Sequence, residues 1–416
     1  MAYLLGVVLF ALAIFISVCL HEAGHMLTAK AFRMKVTRYF AGFGPTVFSF
    51  KRGETEYGLK WIPLGGFVKI VGMTPQDDDV APGDEPRAMW RYPLWKRTVV
   101  MSAGSVTHFI LGFVVLWITL VFVGVPNPAI DPAQQRAMIS IAPCVYANDN
   151  TPTCTDTDAK SPAGQAGLRD GDVITALGSQ QIKTYEDLQK AIRGASTGPV
   201  QITYQRDGRT EQTTVTLIPA TRHPLPNEDG TVDSRQDTVP ALGVGYQVPP
   251  EVPLTTTYGA VRGLQESVQV TGRVFGSMGE AMARIPQKVP ALWDSLSGKP
   301  RDPNTPISVV GASRLGGETV EHNAWWLFLN ILVSLNFFIG VFNLLPLLPL
   351  DGGHIAIAFF ERIRSWVYAR LGRPDPGRVN YLKLMPITYA VILIFGGFTL
   401  LTVAADIVNP ITLFDK

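Results

Sequence analysis

Four long apolar segments are separated by polar ones along the chain. They run from Tyr3 to Leu20 and from about residue 98 to 125, 324 to 350 and 385 to 408. A helix needs roughly 20 mostly apolar residues to cross a bilayer. The pattern therefore predicts four transmembrane helices, the first of which continues to about residue 29. We do not expect a cleaved signal peptide, because no basic residue precedes the first segment.

The basic residues of the polar loops predict which side of the membrane each loop faces. Residues 30–97 hold 12 Lys and Arg against 7 Asp and Glu, and residues 351–383 hold 6 against 3. The long segment at residues 126–323 holds 17 against 21. Since basic short loops stay in the cytoplasm, we expect the N-terminus, the long segment and the C-terminus to be external.

The long external segment has the pattern of a small α/β domain. Val173–Leu177 is an apolar strand pattern after a turn, and residues 184–192 have helical spacing with Thr184 as the predicted N-cap. A hairpin is predicted around Asp207 and Gly208. Beyond it, residues 221–323 predict a linker and an amphipathic helix at about 258–283. That helix fits either the outer membrane surface or the outside of the small domain.

Composition agrees with a membrane protein that has a sizeable polar part. Hydrophobic residues make up 47% of the 416 residues and charged residues 17%, against about 25% in soluble proteins. The formal net charge of +2 gives no reason to expect nucleic acid as a partner, whereas membrane lipid is expected. Cys144 and Cys154 lie in the external segment, where a disulfide and two free thiols are both open interpretations.

The first apolar segment runs directly into the motif H-E-x-x-H. His21 and His25 are four residues apart, so on a helix they share one face and can bind one zinc ion. Glu22 beside them can act as the general base toward a water on that zinc. Ionisable groups at the edge of a membrane span are functional by default, so the motif predicts a zinc-dependent hydrolase.

Two histidines leave zinc one protein ligand short, and the third apolar segment supplies a candidate. It ends in two prolines, Asp351 and two glycines. Irregular backbone at membrane depth occurs where protein or water covers it, so we expect Asp351 to face a cavity as the third ligand. Two alternatives remain open. His354 could be the third ligand instead of Asp351, or Asp351 could merely cap a helix. Asn343 either holds an extended peptide or packs between helices.

These motifs together resemble the site-2 proteases, the zinc intramembrane proteases. The resemblance rests on His21–His25, on residues 343–352 (NLLPLLPLDG) and on residues 63–73 (PLGGFVKIVGM), which resemble the family's membrane-entering β segment at about 57–73. The run at residues 161–172 (SPAGQAGLRDGD) resembles a protease PDZ domain with its core at about 139–219. The closest likeness is to the actinobacterial members of the bacterial branch.

The resemblance implies a domain plan and a set of roles. Residues 1–125 and 324–416 would form the two halves of a polytopic α-helical membrane core, 126–220 an external PDZ domain and 221–323 an external linker and amphipathic helical region. The implied roles are zinc ligation by His21, His25 and Asp351, base catalysis by Glu22 and substrate binding by Asn343, Gly65 and Gly66.

One position departs from the family pattern. Many members have G-P-x-x-N at the start of the second span, where this chain has Gly104-Ser105-Val106-Thr107-His108. His108 could bind substrate, orient the zinc site, approach the metal or pack as a satisfied polar residue. A supporting role behind the ligands or a packing role is favoured.

The expected function is cleavage of transmembrane segments of single-span regulators, with anti-sigma factors as the implied substrates, after a prior external cut. The expected location is the bacterial plasma membrane, and the sequence does not indicate an oligomeric state. Two other functions remain open. One is a transporter that uses the histidines as a proton or ion relay, although no inverted repeat is visible. The other is an inactive scaffold that binds membrane partners.

Overall fold

The computed structural model describes residues 1–74, 80–146, 154–155, 158–225, 236–299, 301–302 and 304–414. The chain divides into two compact units, one of Met1–Gly124 with Thr257–Lys416 and the other of Val125–Thr256. The first unit is helical with one β ribbon, and the second is β-rich.

The bounds of the elements are as follows in chain order. The α-helices are α1 Ala2–Ala31, α2 Leu94–Ile118, α3 Pro162–Gln165, α4 Tyr185–Gly194, α5 Ala260–Leu296, α6 Val309–Glu321, α7 Trp325–Asn343, α8 Asp351–Arg370 and α9 Met385–Val408. The strands are β1 Val36–Arg52, β2 Thr55–Ile70, β3 Val125–Pro126, β4 Ile139–Ile141, β5 Cys144–Val145, β6 Ala159–Lys160, β7 Val173–Leu177, β8 Gln180–Gln181, β9 Gly198–Arg206, β10 Arg209–Arg222, β11 Asp237–Ala241, β12 Val244–Tyr246 and β13 Thr255–Thr256.

Four helices of the described chain are long and apolar enough to cross a membrane: Ala2–Ala31, Leu94–Val123, Trp325–Asn343 and Tyr381–Val408. This confirms the predicted number of such helices. The third helix ends at Asn343 rather than at about residue 350. The prolines at 346 and 349 explain the earlier end, because proline cannot donate the backbone hydrogen bond that a helix interior needs.

A β ribbon follows the first helix. The sequence predicted a strand at about 57–73, and the structure has that strand, β2, paired with a second one, β1. Tyr39 of β1 lies opposite both Tyr57 and Val68 of β2, so the two ends of β2 flank the first part of β1. The Tyr39 hydroxyl donates a hydrogen bond to the Cys19 carbonyl, with an O–O distance of 2.7 Å. This bond attaches the ribbon to α1 two residues before the H-E-x-x-H motif.

Glycines let α1 and α6 approach each other closely. A Cβ atom on Gly316 would lie 2.7 Å from Cβ of Phe10, and one on Gly6 would lie 2.6 Å from the Gly316 carbonyl oxygen. Small residues at helix contacts are typical of membrane proteins, where close backbone packing replaces the hydrophobic effect. The sequence predicted only a linker and one helix between residues 221 and 323, so α6 is a finding of the structure.

A buried ion pair ties the segment before α6 to the last helix. Arg301 Nη1 lies 2.6 Å from Asp406 Oδ1, and the two side chains are 2% and 1% exposed. The other Asp406 oxygen accepts a hydrogen bond from the Ser308 backbone N–H at 2.6 Å. Both carboxylate oxygens are therefore in use.

Asp406→Asn is expected to lower the free energy of unfolding by about 3–5 kcal/mol, because it leaves the Arg301 charge buried without a counterion. Thermal unfolding of the detergent-purified protein measures the change. Asp294→Asn is the matched control, since the Lys299–Asp294 pair is 65% and 50% exposed and its loss should cost less than about 1 kcal/mol. Equal effects of the two substitutions would contradict the buried-pair argument.

The β-rich unit contains a five-stranded sheet in the order β11-β10-β9-β7-β8. Its core is apolar, with Leu188 of α4 and Ile202 of β9 completely buried. The predicted cap of α4 is present as a capping box: the Thr184 hydroxyl accepts a hydrogen bond from the Asp187 backbone N–H, and the Asp187 carboxylate accepts one from the Thr184 N–H. The hairpin predicted around Asp207 and Gly208 joins β9 and β10.

The β-rich unit ends later than the expected domain boundary at residue 220. β11 pairs with β10, and β12 pairs with β4, so the compact unit continues to Thr256. Both strands are short and follow a Pro- and Asp-rich stretch, which is why their pattern predicted only a linker. Residues 226–235 of that stretch lie outside the described residues. Cys144 and Cys154 are joined, which confirms the disulfide interpretation.

The helix expected at about 258–283 is longer than its pattern indicated. It is α5, which continues through Pro286 and Pro290 to Leu296. Phe275 on α5 packs against Phe109 of α2 and Phe337 of α7, with ring centroids 5.2 and 5.3 Å apart. The helix therefore belongs to the helical unit.

Candidate metal centre

Two imidazoles meet on the inner face of α1. His21 and His25 are 7% and 4% exposed, and their Nε2 atoms lie 3.1 Å apart. The separation of four residues explains the geometry, because it places both rings on one side of the helix, one turn apart. The H-E-x-x-H motif is thus helical, as predicted.

The third member of the group comes from the beginning of α8. Asp351 Oδ2 lies 3.4 Å from Nε2 of His21 and 3.2 Å from Nε2 of His25. Among the described residues, His21, His25 and Asp351 form the group of side chains whose ligand atoms lie within 4.8 Å of one another. Asp351 does open a helix, as one alternative held, and its carboxylate also faces the two histidines.

The local sequence explains why Asp351 reaches this position. A Cβ atom on Gly353 would lie 2.6 Å from the Leu347 carbonyl carbon, and one on Gly352 would overlap the Leu344 carbonyl group. The residues before Asp351 therefore fold back directly onto the first turn of α8. Only glycines leave room for this turn, and the proline-rich segment before them cannot continue α7.

The three side chains have the chemistry of a zinc site. His25 Nδ1 lies 2.7 Å from the Val100 carbonyl oxygen, so the ring donates its hydrogen there and Nε2 carries a lone pair. That lone pair, the His21 ring and the Asp351 oxygen, which has no hydrogen-bond partner among the described residues, converge on one point. Two imidazoles and one carboxylate are a common protein donor set for catalytic zinc. The residues present therefore fit the metal.

Glu22 lies between the histidines and the free edge of β2. Its Oε2 atom accepts a hydrogen bond from the Val68 backbone N–H at 3.1 Å. β2 pairs with β1, and no strand of the described chain pairs with the edge of β2 that carries this N–H. A Cβ atom on Gly66 would lie 3.5 Å from Glu22 Cγ, and Gly65 has a φ of +109°. The structure therefore places Gly66 beside the predicted base, whereas Gly65 lies next to it in β2 with Phe43 and Val18 as its nearest neighbours.

The second helix approaches the histidines at Gly104. A Cβ atom there would overlap His25 Nε2 and would lie 2.6 Å from His21 Nδ1. One turn further along α2, His108 is 1% exposed and its Nδ1 lies 2.9 Å from Asn336 Oδ1. His108 is close to the metal ligands but does not belong to the group of three.

The remaining predicted site residues lie outside this group. The His354 ring stacks on Tyr381 with centroids 5.6 Å apart, so the structure does not support His354 as the third ligand. Asn343 is the last residue of α7. Sequence reasoning missed the Val100 carbonyl and the Val68 N–H, because backbone groups leave no trace in residue identity.

The chain is similar to known zinc metalloproteases over its whole length. The family model described as Peptidase family M50 matches residues 9–372. The Zinc metalloprotease Rip1 of Mycobacterium tuberculosis strain H37Rv is 44% identical over 415 residues, which cover 100% of both chains. The protein of that name from Mycolicibacterium smegmatis is 42% identical over 418 residues, again 100% of both chains. A putative zinc metalloprotease of Brucella suis is 25% identical over 388 residues, 90% of this chain and 91% of its own.

Among solved structures, the PDZ domain of the SdrC-like protein from Listeria monocytogenes aligns with 26% of this chain and 87% of its own. The identity is 19% and the TM-score 0.16. The PDZ interpretation of the β-rich unit therefore rests on its sequence run and its strand-and-helix pattern rather than on this alignment.

Proposed function

The chain belongs to peptidase family M50 and is a zinc metalloprotease of the site-2 type, and from this premise we propose that it cleaves transmembrane segments of single-span membrane proteins. The observation that carries the proposal is the position of Asp351. A residue more than three hundred positions from His21 lies within 3.4 Å of it, at the end of an apolar segment.

The proposed roles follow from the contacts of each side chain. His21, His25 and Asp351 hold the zinc ion, which when bound supplies a Lewis acid and acidifies a water near neutral pH. Glu22 takes the proton of the attacking water and passes it to the leaving amine. Its hydrogen bond from the Val68 N–H fixes the carboxylate between the edge of β2 and the histidines.

The proposed substrate conformation is an extended strand. A transmembrane helix hides its carbonyl groups in its own hydrogen bonds, so the helix must unwind before a peptide bond can be attacked. The free edge of β2 near Gly65 and Gly66 offers backbone groups to an unwound segment, as in β-strand addition. Asn343, the last residue of α7, is proposed to bind the same segment through its side-chain amide.

The proposed setting is the bacterial plasma membrane. The excess of basic residues at 30–97 and 351–383 supports cytoplasmic loops, with the N-terminus, the β-rich unit and the C-terminus external. In this orientation the β-rich unit acts as a PDZ-type gate that admits substrates whose external part has already been removed. Anti-sigma factors with a single span are the proposed substrates.

The test is a cleavage assay in liposomes in which zinc is removed and then added back. The purified protein and a candidate single-span protein are reconstituted together in liposomes, and the products are identified by mass spectrometry. Cleavage within the apolar segment is expected, with loss on chelation and recovery when one equivalent of zinc is added. Cleavage only outside the bilayer, or cleavage that is insensitive to chelation, would reject the proposal. Zinc-dependent ion flux without proteolysis would favour a transporter instead.

A further inference from the structure

The second ring nitrogen of His21, Nδ1, needs a hydrogen-bond acceptor when Nε2 binds a metal. The Nε2 atom faces His25 and Asp351, so in a neutral ring that binds metal through Nε2 the hydrogen is on Nδ1. This Nδ1 atom is buried and has no hydrogen-bond partner among the described residues. Histidines that bind metals almost always donate this hydrogen to an acceptor, as His25 does to the Val100 carbonyl.

His108 offers a suitable acceptor beside the His21 ring. Its ring centroid lies 5.1 Å from that of His21, and the planes are inclined by 46°. His21 Nδ1 faces α2 at Gly104, where a Cβ atom would lie 2.6 Å away, and His108 is one turn further along that helix. Both rings are therefore enclosed on the same side of α2.

Asn336 determines which nitrogen of His108 can accept. The Asn336 side-chain nitrogen donates to the Leu332 carbonyl at 2.8 Å, so its oxygen must be the atom that faces His108. His108 Nδ1 therefore carries the hydrogen and donates it to Asn336 across 2.9 Å. In this tautomer the other nitrogen, Nε2, has a free lone pair. Both residues are 1% exposed, so water does not compete freely for these groups.

We propose that His108 is a positioning residue of the metal centre, whose Nε2 accepts the Nδ1 hydrogen of His21 when the metal is bound. Asn336 holds His108 in the tautomer that this role requires. The inference rests on the proposed ligand role of His21. It gives His108 a function that neither packing nor direct metal binding describes.

The test compares two amide replacements at one position. In His108→Gln the amide lies near the position of Nε2, whereas in His108→Asn it lies near the position of Nδ1. Zinc affinity is measured on the full-length, detergent-purified protein by competition with a fluorescent chelator. His108→Asn is expected to bind zinc about 10- to 100-fold more weakly, the usual effect of losing such a partner. His108→Gln should retain most of the affinity, and Phe109→Leu on the same helix should retain all of it.

A second measurement separates positioning from stability. Cobalt is substituted for zinc, and its visible absorption spectrum should shift in His108→Asn but not in Phe109→Leu. Asn336→Leu should weaken zinc binding in the wild-type background and cause no further loss in the His108→Asn background, because it acts only through His108.

Three results would overturn the proposal. Wild-type zinc affinity in both His108 variants would show that the bond does not form. Equal losses in both variants, accompanied by equally lowered unfolding temperatures, would show a packing role. An additive effect of Asn336→Leu would show that Asn336 acts independently of His108. Full zinc retention in His21→Phe would instead reject the ligand set itself, so failure of the proposed function is recognised separately.

Discussion

Glu22→Gln is expected to abolish peptide-bond cleavage while the protein still holds about one zinc ion per chain. Glutamine has nearly the same size and can still accept the Val68 hydrogen bond through its side-chain oxygen, so the geometry around the histidines is preserved. It cannot take a proton from water. Loss of a general base typically costs about 10²- to 10⁴-fold in rate, and the loss here should lie at the upper end.

The measurement combines a cleavage assay in liposomes with metal analysis of the same preparation. Asp351→Asn serves as the contrasting variant, because it should lose zinc as well as activity. Glu56→Gln is the matched control, since Glu56 is an exposed acid on the β ribbon whose side chain is 40% exposed. A Glu22→Gln protein that cleaves at the wild-type rate would refute the role of Glu22 as the base.

Gly104→Ala is expected to disrupt the metal centre by a single methyl group. The new Cβ atom would overlap His25 Nε2 and His21 Cε1, the atoms that surround the metal position. The obstacle is rigid, because α2 is a long helix and both rings are enclosed. We therefore expect zinc affinity and cleavage both to fall by at least about 100-fold, as a displacement of roughly 1 Å at a catalytic site can already cause.

Gly396→Ala is the control for this substitution. It is the same change within a membrane-spanning helix, and nothing lies within 4 Å of the added Cβ atom. Alanine also favours helix by about 1 kcal/mol over glycine, so this variant should be unchanged or slightly more stable. If Gly104→Ala retained wild-type zinc content and activity, the close approach of α2 to the histidines would be wrong.

The sequence was sufficient for features that depend on residue type and spacing. The last spanning helix was predicted at about 385–408 and is found at Met385–Val408. The H-E-x-x-H motif predicted two ligands on one helical face, and the prolines and glycines around Asp351 predicted that the chain would turn there. In each case the side chains themselves determine the local conformation.

Other features depend on contacts that residue types do not encode. β1 was not predicted, because its partner strand lies on the far side of a turn and its apolar residues do not alternate cleanly. α6 was missed because its glycines at 311, 316 and 317 lower the helical signal, although these glycines are what allow it to pack against α1 and α9. The tautomer of His108 depends on Asn336, 228 residues away. Such pairings follow from tertiary packing alone.

The close contact between Gly6 and Gly316 means that the length of the first helix sets the position of its histidines. The N-terminal part of this helix packs against α6 at Gly6. Fifteen residues later, His21 must lie at a fixed distance along the helix axis and point in a fixed direction. Each added residue would advance the helix by about 1.5 Å and turn it by about 100°. A single alanine inserted between Gly6 and His21 would thus aim both imidazoles away from Asp351, although none of the intervening residues takes part in the chemistry. The length of that stretch is therefore constrained more tightly than its composition.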